Sequence, residues 1–442
     1  MFERSARREP HLFTCRHSSI MEPAFGQLLF TFSVNLYKQL LSADSNANAS
    51  SLLCSPLTIA AALGMTLAGA RNNTAKQIRA LFVEAMPSGS RLSDGRGTSD
   101  DAIHAAFASL MMSLSRVFDD NHHQAPSGGV TLRLANRLYT GLDLQPSPEY
   151  AALVNASYGA SAASVDFGAD PESARRVINE WVSRETASKI AELLPRGSVE
   201  ASTCAALVNA VYFRGLWADQ FEPELTAEEP FYETPTKSRK VKMMYKNGRF
   251  AIGRHEGLGV SLVTIPYRGL KASMVVVLPD KVDGLADFEQ RVTPLELASL
   301  ISSANSTTKV RLRLPRFKLS TTTDLLHTLS SMGVTDLFSP RADLSGIAAT
   351  LPSSGSNSSA SPAGCGRGTA GGVSVALHSA AIEVTEEGTE AAAGSASILT
   401  RRDAVEFTAD HPFLFLVRTQ GTTPLEADVV LFVGSVRRVD DV

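Results

Sequence analysis

The sequence predicts an α+β fold with large antiparallel sheets, on three observations. Helical and strand segments interleave without a βαβ period, which argues against a doubly wound parallel sheet. Between residues 240 and 279, strand patterns follow one another through short Gly and Asn turns. Hydrophobic residues make up 44% of the 442-residue chain, enough for a full-sized core without help from metals or disulfides.

In chain order, residues 25–41 read as an amphipathic helix, with polar and basic residues spaced among apolar ones. Helices follow at 57–66 and 73–81. The first is entered through Ser55-Pro56, and proline suits the first helical position. Residues 87–101, rich in Ser, Gly and Asp, read as a mobile loop. Residues 102–118 form a helix whose face is apolar rather than basic, and 130–139 form a strand. A long amphipathic helix is predicted at 171–194, with Val177, Ile178, Trp181, Val182 and Ile190 on one side. The near-continuous apolar run 203–213 reads as a strand buried on both faces. Another strand covers 310–319 and another helix 323–332. Residues 348–372 are Ser, Gly, Ala and Pro with almost no large apolar residue, and read as a disordered surface insertion. Strands at 373–385, 412–418 and 429–436 close the chain. Residues 1–20 read as a disordered extension, with Met1 or Met21 as the start, and 21–442 as one domain.

Composition excludes several function classes. A net charge of −3, with acids and bases mixed along the chain, gives no reason to expect a nucleic-acid partner. The first twenty residues hold no apolar run of signal-peptide length, and no segment reaches eighteen apolar residues, so no membrane span is expected. Cys15, Cys54, Cys204 and Cys365 are scattered without metal or CxxC spacing, so free thiols are expected and no metal site or cofactor. Five N-x-S/T sequons begin at Asn48, Asn72, Asn155, Asn305 and Asn357. Gly372-Val373-Ser374-Val375-Ala376 approaches a nucleophile elbow but ends in alanine and opens a strand, and His122-His123 lack a third ligand at metal spacing. The chain is not expected to be an enzyme.

The most informative stretch is Glu386-Glu387-Gly388-Thr389-Glu390-Ala391-Ala392-Ala393-Gly394-Ser395-Ala396-Ser397. It follows an alternating strand with a run of small residues that anchor no core. Glycine, threonine and small residues make a poor helix and a weak ordinary strand. Each nonetheless fits inside a crowded sheet, so the segment can be exposed or inserted, and two placements make a switch. As a strand it puts Thr389, Ala391, Ala393, Ser395 and Ser397 on the buried face and Glu390 toward solvent. No proline interrupts residues 388–403, so nothing blocks a ladder.

With that hinge, the ordered motifs Ser55-Pro56-Leu57-Thr58-Ile59, Leu207-Val208-Asn209-Ala210-Val211-Tyr212-Phe213-Arg214-Gly215-Leu216-Trp217, Leu278-Pro279, Pro315-Arg316-Phe317 and Asp410-His411-Pro412-Phe413-Leu414-Phe415 resemble the serpin family over nearly the whole chain. The resemblance implies three β-sheets, about nine helices and an exposed reactive-centre loop at 388–407. It implies a monomeric suicide inhibitor of serine proteases. Its cleaved loop enters the main sheet and traps the protease as a covalent 1:1 acyl-enzyme. Counting from the hinge glycine puts the reactive bond at Arg402–Asp403, with Arg401 the alternative, and an arginine there suits trypsin-like proteases. The family pattern assigns Ser55, Thr58, Asn209 and His378 to a shutter beneath the opening sheet and Trp217 to its top. The helix at 102–118 carries only Arg116, so no glycosaminoglycan site is expected. Family habit implies an extracellular or secretory location without a visible signal peptide, with the cytoplasm as alternative. A non-inhibitory carrier, chaperone or storage protein is the alternative function.

Overall fold

The computed structural model describes residues 18–43, 50–83, 99–118, 129–304, 306–348, 372–388, 404–420 and 428–440. Its first half runs α1 (Ser18–Ala43), β1 (Leu52–Cys54), α2 (Pro56–Gly69), α3 (Asn72–Val83), α4 (Asp100–Phe118), β2 (Val130–Gly141), α5 (Pro148–Tyr158), β3 (Ser161–Val165), α6 (Pro171–Glu185) and β4 (Ala205–Gly215). Then come β5 (Ala227–Thr234), β6 (Lys237–His255), β7 (Val260–Pro266), β8 (Ala272–Pro279), α7 (Leu285–Arg291), α8 (Pro294–Ser303), β9 (Thr307–Pro315), β10 (Phe317–Asp324) and α9 (Leu326–Ser331). The chain closes with β11 (Val373–Val384), β12 (Val405–Thr408), β13 (Phe413–Thr419) and β14 (Val430–Val436). Nine α-helices therefore lie among the described residues, and the class is α+β.

A five-stranded sheet has the order β10-β11-β4-β2-β3. A nine-stranded sheet has the order β1-β14-β13-β8-β7-β6-β9-β12, with β5 also on β6. The larger sheet is two leaves joined by the 19-residue β6. Its first part pairs with β5 and β9, and its last residues, from Ala251 to His255, pair with β7. The three sheets implied by the sequence are thus the five-stranded sheet and these two leaves.

Helix α2 is buried along almost its whole length. Its small residues, Ala60, Ala61, Ala62 and Gly64, allow a helix to lie between sheets, and it touches β2 and β4 on one side and β14 on the other. A Cβ at Gly64 would lie 2.5 Å from the Tyr158 ring, so only glycine admits α5 this closely. A second apolar cluster packs α6 and the chain after it, through Ile178, Trp181, Val182 and Leu194, onto the outer face of the five-stranded sheet.

Several boundaries differ from the sequence reading. Helix α1 begins at Ser18. Helix α6 stops at Glu185 rather than 194, because Ala187 and Ser188 turn into left-handed backbone at φ +52° and +61°. Asn179 fastens the returning chain, accepting from the Leu193 and Leu194 N–H groups and donating to the Leu194 carbonyl. Ile190 is buried by that return rather than by helical spacing, and Val177, placed on the apolar face, is 49% exposed. The segment at 310–319 is two strands, β9 and β10, broken at Arg316. The helix expected at 323–332 is only Leu326–Ser331, since Asp324 still belongs to β10. The free-thiol expectation fails at Cys204, which is disulfide-bonded. It holds at Cys54, whose thiol is buried and pushed well up by that burial. Among the described residues, no helix is long and apolar enough to cross a membrane.

Candidate functional site at the seam of the five-stranded sheet

The centre of the five-stranded sheet is its only parallel inner pair. β4 and β11 pair in parallel from Ala205↔Val373 to Ala210↔Ser379 and on to Tyr212↔Ala381. On their outer sides both have antiparallel partners, β4 with β2 and β11 with β10. Parallel ladders are slightly weaker per residue than antiparallel ones. Beyond Tyr212 and Ala381 the two strands no longer pair. β4 continues on β2 as far as Gly215, and β11 continues on β10 as far as Val384. The sheet therefore has a seam that is closed below and unzipped at its upper end.

The chain leaves β11 at that upper end through a turn. Thr385 and Gly388 exchange backbone hydrogen bonds of 2.9 and 3.1 Å, and the Thr385 hydroxyl donates to the Gly388 carbonyl at 3.0 Å. Gly388 has φ +105°, and a Cβ there would lie 2.1 Å from the Gly215 carbonyl oxygen. Both the dihedral and the space demand glycine.

Trp217 holds this turn in place. It is fully buried and stacks on Tyr267 at 4.6 Å between centroids. Its indole N–H donates to the Thr385 carbonyl at 2.9 Å and its backbone N–H to Glu387 at 3.0 Å. The Phe221 N–H donates to the Glu386 carbonyl at 2.8 Å. Glu386 is itself only 7% exposed. Its carboxylate accepts from the Thr226 hydroxyl at 2.7 Å and faces Arg316 at 3.6 Å, a charge contact rather than a hydrogen bond. Arg316 occupies the break between β9 and β10, so the interruption missed in the sequence supplies the cation. Neither Thr226 nor Arg316 was picked out from sequence as part of the site; Arg316 carried a signal, lying inside Pro315-Arg316-Phe317.

Lower on the seam, polar side chains cross it inside the apolar core. His378 and Asn209 face each other across the parallel ladder. The His378 Nε2 accepts from the Ser55 N–H at 3.0 Å, so its Nδ1 is protonated and donates to the Asn209 side-chain oxygen. That oxygen also accepts from the Thr58 hydroxyl at 2.9 Å, and the Asn209 amide donates to Asn136 on β2 at 2.5 Å. Asn136 was not foreseen, since only strand register brings it opposite Asn209. Ser55, Thr58, Asn209 and His378 thus come together in one network, and Ser55 takes part through its backbone. The His378–Asn209 bond crosses the seam directly, and the start of α2 spans it as well, with Ser55 on His378 and Thr58 on Asn209. Burial holds His378 neutral, its pKa lowered to about 3.

Thr389, Glu390, Ala391, Ala392, Ala393, Gly394, Ser395, Arg401, Arg402 and Asp403 lie outside the described residues, as do His122 and His123. Ser374 sits at an irregularity inside strand β11, exposed, its hydroxyl accepting from the Cys204 N–H at 3.3 Å, with no helix following it, which is not the strand-turn-helix geometry of a nucleophile elbow.

Two outcomes follow from this geometry. Gly388→Ala expels the turn from the Gly215–Trp217 backbone, costing about 2 kcal/mol. It changes the emission of Trp217, one of two tryptophans, as read by fluorescence against a Trp181→Phe background. His378 is uncharged in the fold but takes a proton in the unfolded chain below about pH 6.5. Acidification therefore favours unfolding, by about 1.4 kcal/mol per pH unit between about 6.5 and 3, and the stability is fully present above that window. Urea unfolding at pH 7 and pH 5 shows a loss of about 2 kcal/mol from this group, a slope that His378→Gln removes.

A family model described as serpin (serine protease inhibitor) matches residues 28–439. The chain is 39% identical to Iris of Ixodes ricinus over 424 residues, 95% of this chain and 100% of Iris. It is 36% identical to the leukocyte elastase inhibitor of Bos taurus, over 91% of this chain and 96% of that protein. Among solved structures it resembles uncleaved ovalbumin, with a TM-score of 0.75 and 29% identity over 94% of this chain and 100% of that one. The chain belongs to the serpin family.

Proposed function

We propose that this protein inhibits trypsin-like serine proteases as a suicide substrate, cleaved after Arg402 in the loop between β11 and β12. The observation that carries this reading is the seam. A segment that leaves β11 through the Thr385–Gly388 turn runs antiparallel to β11. Since β4 is parallel to β11, the same segment is antiparallel to β4 as well. Inserting it replaces one parallel ladder with two antiparallel ladders, adding hydrogen bonds of about 1 kcal/mol each net. The small residues after Gly388 suit a strand placed in the middle of a packed sheet.

In the proposed cycle the protease serine attacks the Arg402 carbonyl carbon, the bond to the Asp403 nitrogen breaks, and the new amine leaves with a proton. The acyl-enzyme stays attached to Arg402. With its C-terminal tether cut, the loop enters the seam from the Trp217 end and runs toward Ala205, breaking the His378–Asn209 bond as it passes. At about 3.4 Å per residue, the fourteen residues from Thr389 to Arg402 carry the protease roughly 45 Å. The protein acts as a monomer and forms a covalent 1:1 complex.

The name of the Bos taurus relative points to an elastase, whose specificity pocket is small. Arg401-Arg402 instead presents a long cation, which suits a pocket carrying a buried carboxylate. We place the protein in an oxidising compartment outside the cytoplasm, a reading supported by the Cys204 disulfide.

The test is incubation with trypsin and, separately, with elastase, followed by denaturing electrophoresis. A band of summed mass with trypsin that survives SDS is the expected result; a clipped band alone returns the protein to the carrier, chaperone or storage class. Arg402→Ala lowers the rate of complex formation with trypsin by about 10⁴-fold, whereas a comparable loss in Arg401→Ala alone moves the bond by one residue. Thr389→Arg places a charge on the buried face of the entering strand, so trypsin cleaves this variant without being retained. Mass spectrometry of the reaction products reads both outcomes.

A further inference from the structure

We infer that Asn155 is a site of N-linked glycosylation, a reading that rests on the proposed location outside the cytoplasm. Of the five sequons, Asn48, Asn305 and Asn357 lie outside the described residues. Asn72 is exposed, but its amide donates to the Asp343 carboxylate at 2.7 Å and its backbone turns at φ +51° to open α3. Its nitrogen already ties the start of α3 to the chain before residue 348.

Asn155 is different. It lies in the last turn of α5, where its carbonyl accepts from the Gly159 N–H at the left-handed cap. Its side chain is exposed and its amide has no partner among the described residues. The exposed or half-exposed positions one turn away are Ala151, Ala152 and Gly159, with Ala156 adjacent, while the remaining neighbour, Tyr158, is buried beneath the helix. None of the exposed or half-exposed ones is large or charged, so a sugar linked to the amide meets neither a bulky side chain nor an ion pair. The buried face of α5 is made instead by Tyr150, Val154, Ser157 and Tyr158. Beside Asn155 the outer face is made of the small residues Ala152 and Ala156, both exposed. A carbohydrate there covers apolar surface that no described element packs against.

The co-reactant is a lipid diphosphate-linked oligosaccharide. The amide nitrogen of Asn155 bonds to the anomeric carbon of the reducing-end sugar. The bond from that carbon to the diphosphate oxygen breaks, and the proton lost by nitrogen leaves with the lipid diphosphate. Ser157, whose hydroxyl completes the sequon, is only 5% exposed in the fold. The transfer must therefore precede folding, and the folded protein is not a substrate.

The full chain is expressed in insect cells with and without a cleavable secretion leader, and the product is treated with peptide N-glycosidase in heavy-oxygen water and peptide-mapped. The expected result is conversion of Asn155 to labelled Asp, with one mobility step lost in both Asn155→Gln and Ser157→Ala. Unlabelled Asn155 in the leader-bearing product overturns the assignment, as does a mobility step at this peptide that persists in Asn155→Gln. Labelling only in the leader-bearing product supports the assignment and overturns the proposed location. Labelling of purified folded protein by added transferase overturns the requirement that transfer precede folding.

Discussion

The structure turns on one mismatch in hydrogen-bond direction. In the five-stranded sheet, β4 and β11 run parallel while each has an antiparallel neighbour on its other side. A central parallel pair is a stable arrangement, yet a better one is available to the same chain if a further strand separates the two. The remaining features of the site act on that choice. The turn at Gly388 and Trp217 stand at the unzipped end of the pair, and the His378–Asn209 bond crosses it lower down; on the proposed reading these are where a strand would enter and what it would part.

The placement of polar groups along the seam follows from what burial costs. A buried imidazole and a buried amide are tolerable only when hydrogen-bonded. His378 meets this with both ring nitrogens, and Asn209 with partners on β2, α2 and β11. Asn209 is tied to β2 through Asn136 and to α2 through Thr58, and His378 is tied to the same end of α2 through the Ser55 N–H. The start of α2 therefore bridges both strands of the seam, and parting them means breaking the His378–Asn209 bond together with the backbone ladder from Ala205↔Val373 to Tyr212↔Ala381.

Much of this could be read from residues, but not its geometry. The alternating run into Glu386-Glu387-Gly388 located the end of β11 and the glycine turn that follows it, and the apolar run ending at Phe213 located the strand beside the seam. The alternation of Val310, Leu312 and Leu314 shifts phase at Pro315-Arg316 before Phe317 and Leu319, a local trace of the break that reading one strand across 310–319 passed over. Periodicity could not end α6 at Glu185, since that stop depends on two left-handed residues that carry no glycine signal. Asn136 and Thr226 reach the site through register and tertiary packing, neither of which leaves a local trace. Cys204 was misread because its spacing from the other cysteines is long, and disulfide pairing is not encoded in spacing alone.

Gly388 links the two levels. Its sequence role is conformational freedom, and its structural role is contact with the Gly215–Trp217 backbone, which leaves no room for a side chain. The hinge is therefore held at the mouth of the seam, already turned, with its carbonyls satisfied by Trp217 and Phe221 and its carboxylate by Thr226. A segment that had to find both direction and entry point after cleavage would face the entropy of closing a loop before making its first new ladder bond. On the proposed reading, direction and entry are fixed at the turn while the chain is still intact, so that cost is met during folding. The chain after residue 403 is anchored separately, since β12 pairs with β9 in the other sheet, and that is the tether the proposed cleavage would cut.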